Sequence, residues 1–338
     1  MHGSILALFR GGPLHTMSLE EDLARYRSDQ GSVLTIGTFD GVHKGHQWLI
    51  QRVTSRASDV GLQSTVLTFD KIPRTVIRPD IVVPYLSSLP DRVSLLRSFG
   101  VDTVVSVAFT RELSQLTAAQ FMSTVVKALH VKHLIIGPGF ALGRNRAGDF
   151  ENLQEIGQEL GYTIEMLEPY VGGQSQIIRS TKVREMIAQG AMDQAKDLLG
   201  RSYALSGIVY EGHKRGKDLG FPTANIDFAK ERAIPSDGVY VTWAFLNATR
   251  YLSVTNVGDN PTFGDEERCI EVHILDFTED IYSACIPFTI ISFNNSCPVI
   301  PLYTVLNHSL AEHIRNIPTP SKLMVIGNSC CAFSSTSM

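Results

Sequence analysis

The chain has 338 residues, 43% of them apolar and 19% charged, with a formal net charge of -4. That length accommodates two ordinary cores, and the composition is that of a folded chain rather than a disordered one. A slightly acidic balance without a basic stripe excludes charge-driven binding to nucleic acid or a membrane surface, and no apolar run approaches the roughly 20 residues of a membrane span.

Residues 1–30 read as an N-terminal extension and a first helix. The apolar run at 5–9 is followed at once by Arg10 and by no small-residue cleavage site, so export is not expected. Met17, just before the acidic helix start at Ser18, Glu20, Glu21 and Asp22, is an alternative initiator. From Ser32 strand-like and helix-like segments alternate, as in a parallel sheet with crossover helices. Strands are expected at 33–36, 64–69, 103–109, 133–136 and 163–167. Helices are expected after the first strand, where Leu49, Val53, Ala57 and Val60 recur at helical spacing before Gly61, and at 91–99, 118–129 and 150–160. A helical link follows, with apolar faces at Val183, Met186 and Ile187, then Ala195, Leu198 and Leu199, stopped by Gly200. Beyond Tyr203 the signals are β only, at 204–210, 239–246, 251–257 and 270–277, which favours a small antiparallel barrel. The five cysteines, Cys269, Cys285, Cys297, Cys330 and Cys331, have no CxxC spacing and read as reduced thiols.

Two stretches carry chemistry. The first strand runs into Gly37-Thr38-Phe39-Asp40-Gly41-Val42-His43-Lys44-Gly45-His46. Its glycines permit a tight turn, and the helix start offers N–H groups and a positive dipole end to a phosphate. His43 and His46, three apart, face one ligand if the turn is helical and can donate hydrogen bonds as charge develops on a departing pyrophosphate. Alone, the pair also fits two ordinary polar residues at a helix start. The second stretch, 207–225, holds glycines, Lys214, Arg215 and Lys217 and a rigid proline turn, a composition suited to wrapping a polyphosphate and equally to a plain basic turn. Thr223 and Asn225 alternate as on a strand, so both oxygens address one ligand or one Mg2+ with its waters.

TFDGVHKGHQ resembles the nucleotidyltransferase signature of bacterial FAD synthetases, within the wider HxGH superfamily. Residues 137–149 are similar to that family's glycine- and arginine-bearing loop, with Gly139 where the family usually has Asp or Asn. Residues 178–184 are similar to its ISSTxxR motif, with Arg179 replacing the first serine. The segment at 67–73 matches the start of a TFDPHP element, but Lys71 and Ile72 replace its Pro and His, removing a histidine expected near the adenylyl-transfer site. Residues 207–226 resemble the riboflavin kinase signature, and the likeness continues at 237–240, 256–258, 260–263 and 271–277, where His273 reads as a strand side chain.

The resemblance implies a bifunctional riboflavin kinase and FAD synthetase. Its expected fold is an α/β Rossmann-like nucleotidyltransferase domain with a parallel sheet at 31–187, followed by a small antiparallel β-barrel riboflavin kinase domain at 188–318, divergent after 282, and a disordered tail at 319–338. It would act in the cytoplasm, phosphorylating riboflavin to FMN and adenylylating FMN to FAD with release of pyrophosphate, using ATP as co-substrate and Mg2+ in both steps. By resemblance, His43, His46 and Arg184 are catalytic. Gly37, Phe39, Asp40, Gly41, Gly45, Arg146, Ser180, Thr181, Gly212, Lys214, Arg215, Gly216, Gly220 and Pro222 bind nucleotide or phosphate, with Ser180 and Thr181 also capping a helix. Thr223 and Asn225 take the metal.

The likeness extends over roughly residues 31–282. The family is expected to continue with a glycine, a charged strand and an LRPE-like segment whose Glu is the kinase base. Here residues 283–311 contain no Asp, Glu, Lys or Arg, and Glu312 is the only carboxylate after Asp280. A frameshift, a decayed 3′ end or a lineage-specific replacement would give this text, and the expected consequence is an unclosed barrel without its base. A monofunctional FAD synthetase with an impaired kinase barrel and a non-catalytic flavin-binding module are therefore the competing readings. Another HxGH transferase, acting on pantetheine phosphate or a cytidylyl acceptor, leaves the second motif unexplained.

Overall fold

The computed structural model describes residues 18–27, 29–171, 177–210, 223–247, 249–259, 268–277, 279, 281 and 283–293. These form two compact units. One holds the chain up to Phe39 together with Gln47–Val83 and Leu96–Pro169; the other holds Asp40–His46, Pro84–Leu95 and the chain from Tyr170 on.

The first unit opens with α1 (Leu19–Ala24), started by a capping box in which Ser18 and Glu21 satisfy each other's backbone N–H groups. Its sheet comprises β1 (Ser32–Ile36), β2 (Gln63–Phe69), β3 (Thr103–Val107), β4 (Val131–Ile136) and β5 (Thr163–Met166), all parallel, in the order β3-β2-β1-β4-β5. Every residue of β1 is buried, as a central parallel strand requires. The helices of this part of the chain are α2 (Lys44–Val60), α3 (Pro73–Ile77), α4 (Leu89–Ser98), α5 (Ala118–Leu129) and α6 (Phe150–Leu160). α5 and α6 bury Phe121, Met122, Val125, Leu153 and Ile156 in the same core as Leu34, Ile36, Leu67 and Leu134 of the strands. The strand order reverses between β1 and β4, and the carboxyl end of β1 therefore lies at the switch point where open α/β sheets bind ligands. The expected parallel sheet is present, although the strand predicted to reach 109 ends at Val107 and α3 had no sequence signal.

In the second unit, α7 (Ser180–Ala188) and α8 (Met192–Leu199) precede six strands: β6 (Tyr203–Tyr210), β7 (Ala224–Asp227), β8 (Gly238–Leu246), β9 (Thr249–Asp259), β10 (Arg268–Ile274) and β11 (Cys285–Phe293). They form a closed barrel in the order β10-β7-β6-β11-β8-β9. Alternate residues point inward, among them Leu205, Val209, Ile226, Ala244, Val257, Ile270 and Val272. Val183, Met186 and Ile187 of α7 and Met192, Ala195 and Leu199 of α8 belong to the same buried cluster.

The unclosed barrel expected from the charge-free segment is corrected here. β11 lies within that segment and pairs with both β6 and β8. It needs no charge because Ile286, Phe288 and Ile290 fill the barrel interior while the alternate residues stay half-buried. Pro287 is tolerated because it is paired with Ser206 of β6 but precedes the first residue paired with β8, so its missing N–H breaks no bond on that side.

Candidate active sites

The chain leaves β1 through Gly37, whose N–H donates to the Leu67 carbonyl at 3.0 Å, and Thr38, whose carbonyl accepts from the Thr68 hydroxyl at 3.0 Å. Phe39 is buried at φ 50°. The next seven residues, Asp40–His46, lie in the second unit. Gly41 has φ 77°, which suits glycine, but Val42 has φ 39°, where a β-branched residue costs roughly 1–3 kcal/mol. Asp40 secures this turn. Its buried carboxylate accepts the Leu86 N–H at 3.0 Å to each oxygen, the Ser87 N–H at 3.0 Å and the Ser87 hydroxyl at 3.2 Å, and it pairs with the Arg184 guanidinium at 2.5 Å. Ser87 Oγ in turn accepts the Gly41 N–H at 3.0 Å.

The turn delivers the two histidines to the start of α2. Their rings stack at 3.6 Å between centroids with planes 16° apart. Gly45 permits this, since a Cβ there would lie 3.2 Å from the His43 ring. Burial is the main reason that His43 is pushed down to about 4; the charges of Arg201 and Arg184 act in the same direction and that of Asp40 opposes them. His46 is also lowered, first by burial and then by His43 and Arg92. Both imidazoles are therefore neutral at pH 7. The His46 backbone N–H donates to His43 Nδ1 at 3.3 Å, so the proton of neutral His43 is on Nε2. His43 is thus fixed as an Nε2–H donor.

α7 carries the third group. Its N-cap is Arg179, without a side-chain cap bond, so the capping role expected of Ser180 and Thr181 is corrected. The reason is that the Ser180 hydroxyl is used elsewhere, donating to the Asp40 carbonyl at 3.0 Å. Thr181 is exposed in the first turn of α7. Arg184 braces the loop through Asp40 and donates from Nε to the Pro84 carbonyl at 2.7 Å. Arg146 belongs to the first unit, where it donates to the Gly139 carbonyl at 2.8 Å. Gly139 has φ 69°, a conformation that Asn and Asp tolerate best among other residues, which accounts for the exchange with Asp or Asn noted above.

On the barrel, Thr223 precedes β7, and Ala224 and Ile226 point inward, so Thr223 and Asn225 share the outer face. Asn225 is paired with Tyr210 of β6 and with Glu271 of β10, and Glu271 is paired on its other side with Asn256 of β9. Two amides thus flank one half-buried carboxyl group. Burial raises the Glu271 carboxyl above its ordinary value, and a hydrogen bond from Asn256 partly opposes the rise. Beside this row a cavity of about 570 Å3 is lined by Tyr210, Ile226, Asp227, Phe228, Lys230, Ile234, Arg268 and Cys269. Gly212, Lys214, Arg215, Gly216, Gly220, Pro222 and Glu312 lie outside the described residues.

Two family models match the chain: FAD synthetase over residues 26–182 and riboflavin kinase over residues 199–296. A bifunctional riboflavin kinase/FMN adenylyltransferase of Pseudomonas fluorescens is 38% identical over 269 residues, covering 79% of this chain and 86% of that protein. The protein of the same name from Listeria monocytogenes is 36% identical, covering 75% of this chain and 81% of that one. This chain belongs to the bifunctional riboflavin kinase/FMN adenylyltransferase family. The Escherichia coli K12 member is 37% identical, covering 75% of this chain and 81% of its own. A solved structure described as a macrolide-efflux protein from Streptococcus pneumoniae superposes with a TM-score of 0.77 at 28% identity, covering 86% of this chain and 96% of that one. Among the described residues no helix is long and apolar enough to cross a membrane.

The riboflavin kinase match runs to residue 296, beyond the expected end of the likeness at residue 282. Within that stretch β11 keeps the inward alternation of a barrel strand without any charged residue. The sequence reading places no role on Glu271, since it looks for a carboxylate only beyond residue 282. The signal that could have found it is strand alternation, which puts Glu271 on the polar face of β10.

Proposed function

We propose that this family member makes FAD from riboflavin in two steps, at the two places just described. In the adenylyl step a phosphate oxygen of FMN attacks the α-phosphorus of ATP, and the bond to pyrophosphate breaks. The observation that carries this reading is the stacked, neutral His43–His46 pair on a strained turn at a helix start, with His43 fixed as an Nε2–H donor. Such a donor suits charge gathering on pyrophosphate, because it is in place before the charge forms. Arg184 and Ser180 hold the turn by direct bonds to Asp40, and Thr181, Arg146 and the glycines of the turn are proposed to meet the nucleotide.

In the kinase step the ribityl 5′-hydroxyl attacks the γ-phosphorus of a second ATP and ADP leaves. Glu271 is proposed as the base that accepts the hydroxyl proton; a carboxyl raised by burial is a better base at neutral pH than an ordinary one. Thr223 and Asn225 offer neutral hard oxygens beside that carboxylate, a donor set that fits Mg2+ shared with nucleotide phosphates. The bound ion would supply charge neutralisation for the phosphates. The proposed location is the cytoplasm.

The test is chromatography of purified protein with Mg-ATP and either riboflavin or FMN. FAD from both supports both sites. FAD from FMN alone limits the reading to adenylyl transfer, and FAD from neither overturns it.

A further inference from the structure

The turn that carries His43 is held not only by residues of the FAD synthetase match. Two arginines of the riboflavin kinase match, Arg201 and Arg232, reach the same structure within the second unit. Arg201 donates from Nη2 to the Gly41 carbonyl at 2.8 Å and from Nη1 to the Val42 carbonyl at 3.3 Å and the Leu199 carbonyl at 3.4 Å. Gly41 and Val42 are consecutive residues at positive φ, immediately before His43. In a trans peptide the N–H points opposite to the carbonyl. With both carbonyls turned to Arg201, the N–H groups of Val42 and His43 therefore face away from it.

Arg201 is itself rigidly based. It follows Gly200, the left-handed cap of α8, and precedes β6, and Leu199 and Tyr203 on either side of it are buried in the barrel core cluster. Arg232 acts one step further out. It pairs with Asp91 at 3.0 Å and donates to the carbonyls of Leu86 at 3.2 Å and Ala204 at 3.0 Å. Tyr85 exchanges backbone bonds with Glu231 and Ala233 at 2.6 and 2.8 Å. Leu86, fixed in this way, gives its N–H to Asp40 and packs its side chain against Gly41.

We propose that Arg201 is a positioning residue for adenylyl transfer, and that Arg232 supports it by anchoring the 84–91 segment, so that FMN adenylylation in this chain depends on residues of the kinase segment. Arg201 touches neither the nucleotide nor FMN in this account; it sets the peptide orientation from which His43 donates. The inference rests on the reading of the His43–His46 turn as the adenylyl site.

The experiment compares wild-type protein with R201A, R201K and R232M in steady-state FMN adenylylation, with riboflavin phosphorylation and the thermal midpoint measured on the same preparations. For R201A, kcat for adenylylation is expected to fall about tenfold to a hundredfold, the range for losing hydrogen bonds from a charged donor, with KM for ATP changed much less. Added guanidinium at millimolar concentration should restore part of that kcat. R201K, a point charge without the planar fork, should recover less than full activity. R232M should show a smaller fall in the same parameter. Riboflavin phosphorylation should stay within about twofold of wild type throughout. Unchanged adenylylation in R201A overturns the inference. So does an equal loss of both activities and of the thermal midpoint without guanidinium rescue, which would make Arg201 part of the general fold. If wild-type protein makes no FAD from FMN, it is the reading of the site that fails.

Discussion

Replacing Asp40 with Asn tests the account of the turn most directly. The substitution keeps the size of the side chain but removes the charge and turns one acceptor oxygen into a donor. In the native structure that carboxylate accepts two backbone N–H groups and one hydroxyl, and it pairs with Arg184. The side chain of Asp40 is 2% exposed and that of Arg184 17%. Breaking a fully buried pair costs about 3–5 kcal/mol because the partner charge is left uncompensated; with Arg184 partly hydrated, about 2–4 kcal/mol is expected here. That corresponds to a fall of roughly 5–15 °C in the midpoint of the transition that includes this unit, at about 2–4 °C per kcal/mol. Adenylylation should fall further than stability alone explains, because His43 is carried two residues beyond Gly41. The assay is thermal unfolding of D40N, R184M and the double variant, each with its FMN adenylylation rate. The double variant should recover much of the stability lost in D40N, since the unpaired cation is gone. A D40N protein within about 0.5 kcal/mol of wild type, or additive losses in the double variant, would refute the reasoning.

Three further outcomes are expected. E271Q should lower riboflavin phosphorylation by about 100-fold to 10,000-fold, the usual range for losing a general base, with FMN adenylylation unchanged; equal kinase rates in the two proteins would remove Glu271 from the mechanism. G45A should displace the His43 ring, which a Cβ would approach to 3.2 Å, and lower adenylylation on the order of a hundredfold while leaving the kinase rate alone. His43 binds a proton more weakly folded, at about 4, than unfolded, near 6.5. The unfolded state therefore holds more protons between those values, so the contribution is complete above pH 6.5 and is lost as pH falls towards 4, on the order of 3 kcal/mol in all. Urea unfolding of wild type and H43Q across that window should show the steeper loss in wild type.

Much of the fold is legible in the sequence because its signals are local. β1 and β3 are short runs dominated by Val, Leu and Ile, and α5 and α6 begin and end within a residue of their apolar periodicity. β7 shows in the sequence only as the alternation of Thr223 and Asn225, while β11 is not legible because its lack of charge reads as foreign text until its pairing partners are known. The histidine pair is visible as a spacing, but its tautomer depends on a single backbone donor, and its neutrality on burial that sequence does not reveal. The bracing of the turn is less visible still. Asp40 meets Ser87, Arg184 and Ser180 across separations of 47, 144 and 140 residues, which leave no trace in any local pattern. The same holds for Glu271 and Asn225, which are neighbours only by strand register.

The position of β11 at the end of the described chain also governs how the molecule can be made. β6 and β8 each have one neighbour other than β11, so until residues 285–293 have been synthesised the barrel is a five-stranded sheet with two bare edges. At about 5–20 residues per second, β8 waits several seconds for its partner. During that interval the nascent chain presents pairing edges to other chains. Truncation before residue 285 would make that transient state permanent, and slowed elongation would prolong it, so yield of the intact chain should respond to translation rate more than its final stability suggests.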